Sequence, residues 1–200
     1  TDFGDLNNTA ILTGSCSSRT RGLFAGDYPS ATNKIDFVTI SSTGNAQDFG
    51  DRTTTGYNLG GLSNETRGIF FGGHAPADRD VIDFVTIAST GNAVDFGDLL
   101  SSTQSMMAAS STTRACFAGG NVAPGSADQN VIQSIEFGSL GNSVDFGDLT
   151  QVQERGGGMS NGKVGIVGGG TVNASITNVI QQFTIATAGN ASDFGDLQTQ

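Results

Sequence analysis

The string Asp-Phe-Gly-Asp occurs five times in this chain, beginning at Asp2, Asp48, Asp95, Asp145 and Asp193. Its phenylalanines, Phe3, Phe49, Phe96, Phe146 and Phe194, stand 46, 47, 50 and 48 residues apart. A period of this length means one supersecondary unit used repeatedly, each copy too small to bury its own apolar face and stable only against its neighbours. Three further landmarks recur between the strings. The first is a small or apolar position followed by a polar turn and a cation: Cys16 to Arg21, Leu62 to Arg67, Ala109 to Arg114, and Met159 to Lys163 with one residue fewer. The second is a short apolar run ending in glycine, such as Gly68-Ile-Phe-Phe-Gly-Gly73. The third is an apolar segment that stops at a Gly-Asn turn: Ile35 to Asn45, Ile82 to Asn92, Ile132 to Asn142 and Ile180 to Asn190.

Each landmark is a short run of β-branched and aromatic residues bounded by Gly, Asn, Ser and Thr, the pattern of strands in hairpins. With 30 Gly and 13 Phe among 200 residues, and only 14% charged residues, the composition is that of a turn-dense sheet protein. Each unit therefore reads as four antiparallel strands, a to d, with Asp-Phe-Gly-Asp on strand d. About sixteen strands in four sheets, and almost no helix, are expected. One such sheet cannot bury both faces, but sheets stacked face to face around an axis can.

The order of cation, apolar run, Gly-Gly, variable loop, apolar strand, Gly-Asn turn and aromatic resembles a kelch repeat. Arg67-Gly-Ile-Phe-Phe-Gly-Gly73 is similar to the kelch double-glycine strand, and Phe96 stands where kelch repeats usually carry Trp. The form Gly-Asn-Ala-x-Asp-Phe-Gly-Asp-Leu is also similar to kelch-like arrays in virion proteins of marine bacteriophages. Asp27 in place of a second glycine and Phe for Trp throughout depart from the pattern. The resemblance implies an all-β fold: a kelch-like β-propeller of four blades, each of four antiparallel strands, forming a single domain over residues 1–200. The repeats span approximately 2–47, 48–94, 95–144 and 145–192, with a surplus strand d at 193–197. Five d strands for four a-b-c sets means that Asp2 to Leu6 and Asp193 to Leu197 compete for one outer position if the ring closes. The alternative is a four-blade segment of a larger propeller or array.

The net charge of −10 disfavours nucleic acid, and no window gathers a basic cluster. No stretch approaches the 18 apolar residues of a membrane-spanning helix, so membrane insertion is not expected. His74 is the only histidine, which leaves no histidine-based metal cluster, and no cofactor is expected. Cys16 and Cys116 occupy slots filled elsewhere by apolar residues and read as small buried hydrophobes rather than a disulfide. No Ser-His-Asp or Cys-His set emerges from the spacing. The paired Asp residues of each string could offer oxygens to calcium, but capping a turn and pairing with Arg21, Arg67, Arg114 or Lys163 is the expected use.

The two edges of each four-stranded unit differ. The Gly-Asn turns repeat almost unchanged, whereas the b-c and d-a loops differ from unit to unit, and function commonly sits on such loops. Tyr28, Tyr57, His74, Asn121 and Asn173 on this second face are the candidate ligand-binding residues, with all three prolines beside them. The expected function is a non-enzymatic binding or structural module, in a virion appendage or otherwise extracellular, whose partner is a host-surface glycan or protein, or another virion protein. A hydrolase with an acidic site in the central channel, or an intracellular adaptor propeller, are the alternatives.

Overall fold

The computed structural model describes residues 2–122 and 127–198. The chain is all-β: the described residues form 21 strands and no helix. Sheet I holds β1 (Gly14–Ser17), β2 (Arg21–Ala25), β3 (Lys34–Thr39) and β4 (Gln47–Asp51). Sheet II holds β5 (Gly60–Ser63), β6 (Arg67–Phe71), β7 (Val81–Thr86) and β8 (Val94–Asp98). After β9 (Thr103–Gln104) come β10 (Met107–Ser110) and β11 (Arg114–Ala118), then β12 (Asn121–Val122) and β13 (Ala127–Asp128), then β14 (Val131–Glu136) and β15 (Val144–Asp148). Sheet III is β10-β11-β14-β15, while β12 pairs with both β9 and β13 in a small separate sheet. Sheet IV is formed by β16 (Gly157–Ser160), β17 (Val164–Gly168), β20 (Val179–Thr184) and β21 (Ser192–Asp196), with a small hairpin of β18 (Thr171–Val172) and β19 (Ser175–Ile176) inserted. All pairings are antiparallel, and within each four-stranded sheet they follow chain order, as the a-b-c-d reading expects.

The last strand of every four-stranded sheet carries the repeated motif in a bulge. Ile35 pairs with Gly50 but Asp36 pairs with Asp48, so Phe49 is the extra residue, and the same shift recurs at Ile82/Asp83, Ile132/Gln133 and Ile180/Gln181. A bulge bends the strand and re-aims one side chain. Here it sends the phenylalanine into the space between sheets: Phe49, Phe96 and Phe146 are buried, and each meets a strand β3, β7 or β20 phenylalanine edge-on at 5.9 to 6.1 Å. The glycine that follows has φ of +146° to +149° at positions 50, 97 and 147. An added Cβ there would stand 2.4 Å from a carbonyl oxygen of the next sheet's Gly-Asn turn, so glycine is required twice over, by φ and by space.

That turn locks the sheets together. Gly91 N–H donates to Phe49 O, Ala93 N–H to Asp51 O, and Asp51 N–H to Asn92 Oδ1 at 3.1 Å. The last contact recurs from Asp98 to Asn142 and from Asp148 to Asn190, each at 3.1 Å. The first string, Asp2 to Asp5, makes the same three contacts with Gly44, Asn45 and Ala46 of sheet I, yet it pairs with no strand. The linker after each of the first four strings is held by the bulged position of the next sheet: Asn7 by Asp36, Arg52 and Thr53 by Asp83, Leu100 by Gln133, and Thr150 by Gln181.

The core lies in the three spaces between successive sheets. One cluster centres on Leu23, Ile35 and Phe70, one on Ile69, Phe71 and Phe117, and one on Met107, Ile132 and Phe183. The two outermost faces stay open. Phe194 is 56% exposed and Phe3 41% exposed, against 4% or less for the three internal copies. Met159 is 66% exposed, where the equivalent Cys16, Leu62 and Ala109 are buried. No strand pairing or hydrogen bond joins sheet I to sheet IV among the described residues.

Candidate ligand face

Three of the five expected ligand-binding residues come together. Tyr28 lies in the β2–β3 loop, Tyr57 in the segment between β4 and β5, and His74 in the β6–β7 loop. The rings of Tyr28 and Tyr57 meet edge-on at 4.9 Å, and those of Tyr57 and His74 lie tilted at 5.4 Å. The backbone fixes this row: Tyr57 and His74 exchange N–H···O bonds of 3.1 and 2.8 Å, and His74 also bridges to Asp78. His74 Nδ1 stands 2.6 Å from the Asp78 carboxylate, whose side chain is almost fully buried. That contact orients the imidazole and leaves Nε2 as the nitrogen available to a ligand. Tyr28 is exposed, and the other two rings are partly so. The result is an aromatic shelf with polar edges, built from loops of sheets I and II.

Asn121 and Asn173 sit elsewhere, at sheets III and IV, and both are tied to Asp128. Asn121 Nδ2 donates to Asp128 Oδ1 at 3.1 Å, and the Asn173 N–H donates to Asp128 Oδ2 at 2.5 Å. Asn121 is buried, so its amide is spent on holding the loop. Asn173 is exposed, in a left-handed turn with φ +47°. Of the three prolines of this face, Pro124 falls in 123–126, outside the described residues.

The opposite edge has little to offer a ligand. The Asn45, Asn92, Asn142 and Asn190 side chains accept the inter-sheet hydrogen bonds already described, so their repetition is structural.

The expected pairing of the repeated cations with the Asp-Phe-Gly-Asp carboxylates does not occur. Arg21 Nη1 donates to Ile87 O of the next sheet, Arg67 to Phe137 O, and Arg114 to Ile185 O. Arg21 and Arg67 lie over Phe37 and Phe84, and Arg114 over Phe146 while also paired with Glu136. A guanidinium can satisfy a carbonyl and cover a ring together, which explains the preference. Lys163 does not belong to this set. Val164 pairs with Thr184 as Arg21 pairs with Thr39, so Val164 occupies the cation position of sheet IV. The first Asp of four strings caps its own turn, accepting from the glycine N–H two residues on. The second Asp contributes its backbone, and no cluster of three metal-ligating side chains occurs among the described residues.

A cleft of about 390 Å³ is lined by the first strand of all four sheets. Ser15, Ser17, Ser63, Ser110 and Ser160 supply its polar groups, Leu23, Phe24, Leu62 and Met159 its larger apolar ones, and no carboxylate lines it. Cys16 also faces it, but burial pushes this thiol up to about 12, and Cys116 likewise, so neither is a thiolate at neutral pH.

The sequence reading missed one buried constellation. Arg52 Nε donates to Asp83 Oδ2 at 2.9 Å with both side chains fully buried, and Thr53 Oγ1 donates to Asp83 Oδ1 at 2.5 Å. Burial pushes Asp83 up and Arg52 down, and the charge of each opposes the other's shift. A signal was present: Arg52 follows the one string of five that is not followed by Leu.

No protein-family model matches this chain, and comparison with the curated proteins finds no match.

Proposed function

We propose that this chain is a run of four kelch-like propeller blades, part of a larger propeller or array, that serves as a non-enzymatic binding module of a virion appendage. Its partner is a host-surface glycan or protein, taken on the face formed by the b-c and d-a loops. The row Tyr28, Tyr57, His74 is the observation that carries this reading. Three aromatic rings from three separate loops, locked by backbone pairing and by Asp78, form a pre-organised shelf for the apolar face of a sugar or for an aromatic side chain. Nearby hydroxyl and imidazole edges suit hydroxyl groups. Sheets that stack with a constant set of contacts suit an appendage, where weak sites gain strength by repetition. The serine-lined cleft, without carboxylates, supplies neither the acid nor the base that a channel hydrolase would use.

A glycan array and a host-cell binding assay test this. The double variant Tyr28→Ala, His74→Ala should lose binding, and Thr43→Ala, on the opposite edge, should keep it. Binding unaffected by the double variant, with both proteins folded, would remove the shelf from the reading.

A further inference from the structure

Two residues ahead of β1, β5, β10 and β16 the chain adopts a conformation that favours glycine, yet glycine is absent from all four positions. Leu12, Asn58, Ser105 and Arg155 stand there, with φ of +60°, +59°, +59° and +59°. Side chains such as Leu and Arg are uncommon in this region, where glycine fits without steric cost. Each sheet thus keeps a side chain at a strained position, and a different one each time. Strain of this kind gathers at sites of use. The backbone joins the four into a row: Asn58 N–H donates to Leu12 O at 2.8 Å, Ser105 N–H to Asn58 O at 3.1 Å, and Arg155 N–H to Ser105 O at 3.0 Å. With Thr13, Leu59, Met106 and Gly156 the row lines a cleft of about 530 Å³, which shares no residue with the serine-lined one. That volume falls within the range of about 300–1,000 Å³ for small-ligand sites. Tyr57 of the aromatic shelf immediately precedes Asn58, so shelf and cleft are neighbours. Among the described residues, Arg155 is the one charged side chain that lines the cleft. Ser105 Oγ is enclosed there without a hydrogen-bond partner in the protein, a capacity that buried hydroxyls rarely leave unused.

We propose that this cleft takes the carboxylate of an acidic sugar, a uronic acid unit of a glycan whose adjoining sugar rests on the shelf. The inference rests on the reading of a glycan partner and names its chemical class. Arg155 Nη1 lies 3.5 Å from Glu154 Oε1, too long for a strong hydrogen bond, so the guanidinium remains able to donate to a carboxylate as a fork. Glu154 itself is buried and does not line the cleft. The net charge of −10 opposes anions at long range, but beyond about 8 Å it is screened at physiological ionic strength, and the local cation decides. Leu12, Leu59 and Met106 suit the C–H face of the ring, and Thr13 and Asn58 suit its hydroxyls. An acidic peptide offers the carboxylate without those hydroxyls, which favours the sugar. Further repeats of an array continue the row by one residue each, and Asn58, Ser105 and Arg155 keep their places in it.

Calorimetric titration of the full chain with tetragalacturonate and with its methyl ester tests this, because the ester keeps the shape of the sugar and removes its charge. The acid should bind about ten-fold more tightly than the ester or better, and added salt should narrow the gap. Arg155→Leu should erase the preference and leave ester binding unchanged. Leu12 already holds this φ, and Arg155→Asn, which copies Asn58, is a second variant that the backbone accommodates. The shelf variant Tyr28→Ala, His74→Ala should weaken both forms alike. Equal binding of acid and ester, a preference that survives both Arg155 variants, or tetraglutamate bound as tightly as tetragalacturonate overturns the proposal, as does the absence of binding by either sugar. A preference lost in the Arg155 variants, with binding indifferent to the shelf variant, keeps the cleft and removes the shelf.

Discussion

Phe96 and Phe194 occupy the same place in the repeat, with the same neighbours in sequence and the same bulge, and differ in whether a further sheet covers them. Truncating each to alanine isolates what the inter-sheet contact is worth. Phe96 is 3% exposed, meets Phe84 edge-on at 6.0 Å and belongs to the cluster around Ile69, Phe71 and Ile82. Deleting such a ring forfeits its transfer energy and leaves a cavity between two sheets that cannot collapse, about 3–5 kcal/mol. Phe194 is 56% exposed and Gly195 beside it touches nothing, so less than half of its transfer energy is realised. From about 1.5–3 kcal/mol for complete burial, roughly 1 kcal/mol is at stake there. For a chain of this length each kcal/mol moves the midpoint by about 2–4 °C, so Phe96→Ala should lower Tm by roughly 6–20 °C and Phe194→Ala by roughly 2–4 °C. Thermal and urea denaturation followed by circular dichroism, at low-micromolar protein, measure both. Equal losses at the two positions would refute the reasoning, because the sequence context is the same and only the covering sheet differs.

Arg52→Leu restores the residue that follows every other string, but it strands the Asp83 carboxylate in the interior and should cost about 3–5 kcal/mol. The double variant Arg52→Leu, Asp83→Gln copies the Leu and Gln found at sheets III and IV and should recover most of that loss in urea denaturation; a double variant as unstable as the single one would show that the pair matters for more than charge compensation. Glu154 is buried with Oε2 lacking a hydrogen-bond partner, and burial raises its pKa. Its folded-state pKa thus lies above the unfolded value, so its contribution is fully present below the ordinary Glu range near about 4.3 and is lost as pH rises through the raised value. The urea midpoint of the native chain relative to Glu154→Gln should therefore fall as pH rises above the ordinary Glu range, and a constant difference would refute the shift.

The strands were legible from the sequence because their signals are local. Runs such as Ile82-Asp-Phe-Val-Thr and Arg67-Gly-Ile-Phe-Phe, closed by glycine and Gly-Asn turns, specify extended segments and hairpins whatever surrounds them, and the five-fold string sets the register in which they recur. Which carboxylate or amide side chain meets which partner was not legible. The arginines could be paired on paper with the Asp residues that share their period, but the bulge turns the Phe inward and leaves the Asp side chains at the surface. Lys163 likewise falls one residue out of register with the arginines, because a turn shortened by one position can be aligned in two ways until strand pairing chooses. Of the five candidate residues, the sequence placed all on variable loops, and only the folded chain separates them: Tyr28, Tyr57 and His74 form one row because adjacent sheets bring their loops together, while Asn121 is consumed by Asp128. The repeat thus determined the unit, its strands and its order. The tertiary structure alone decided how units meet, which faces stay open and which side chains remain free, since those depend on contacts between separate loops and sheets, such as Asp51 with Asn92 and Tyr28 with Tyr57, that no local pattern encodes.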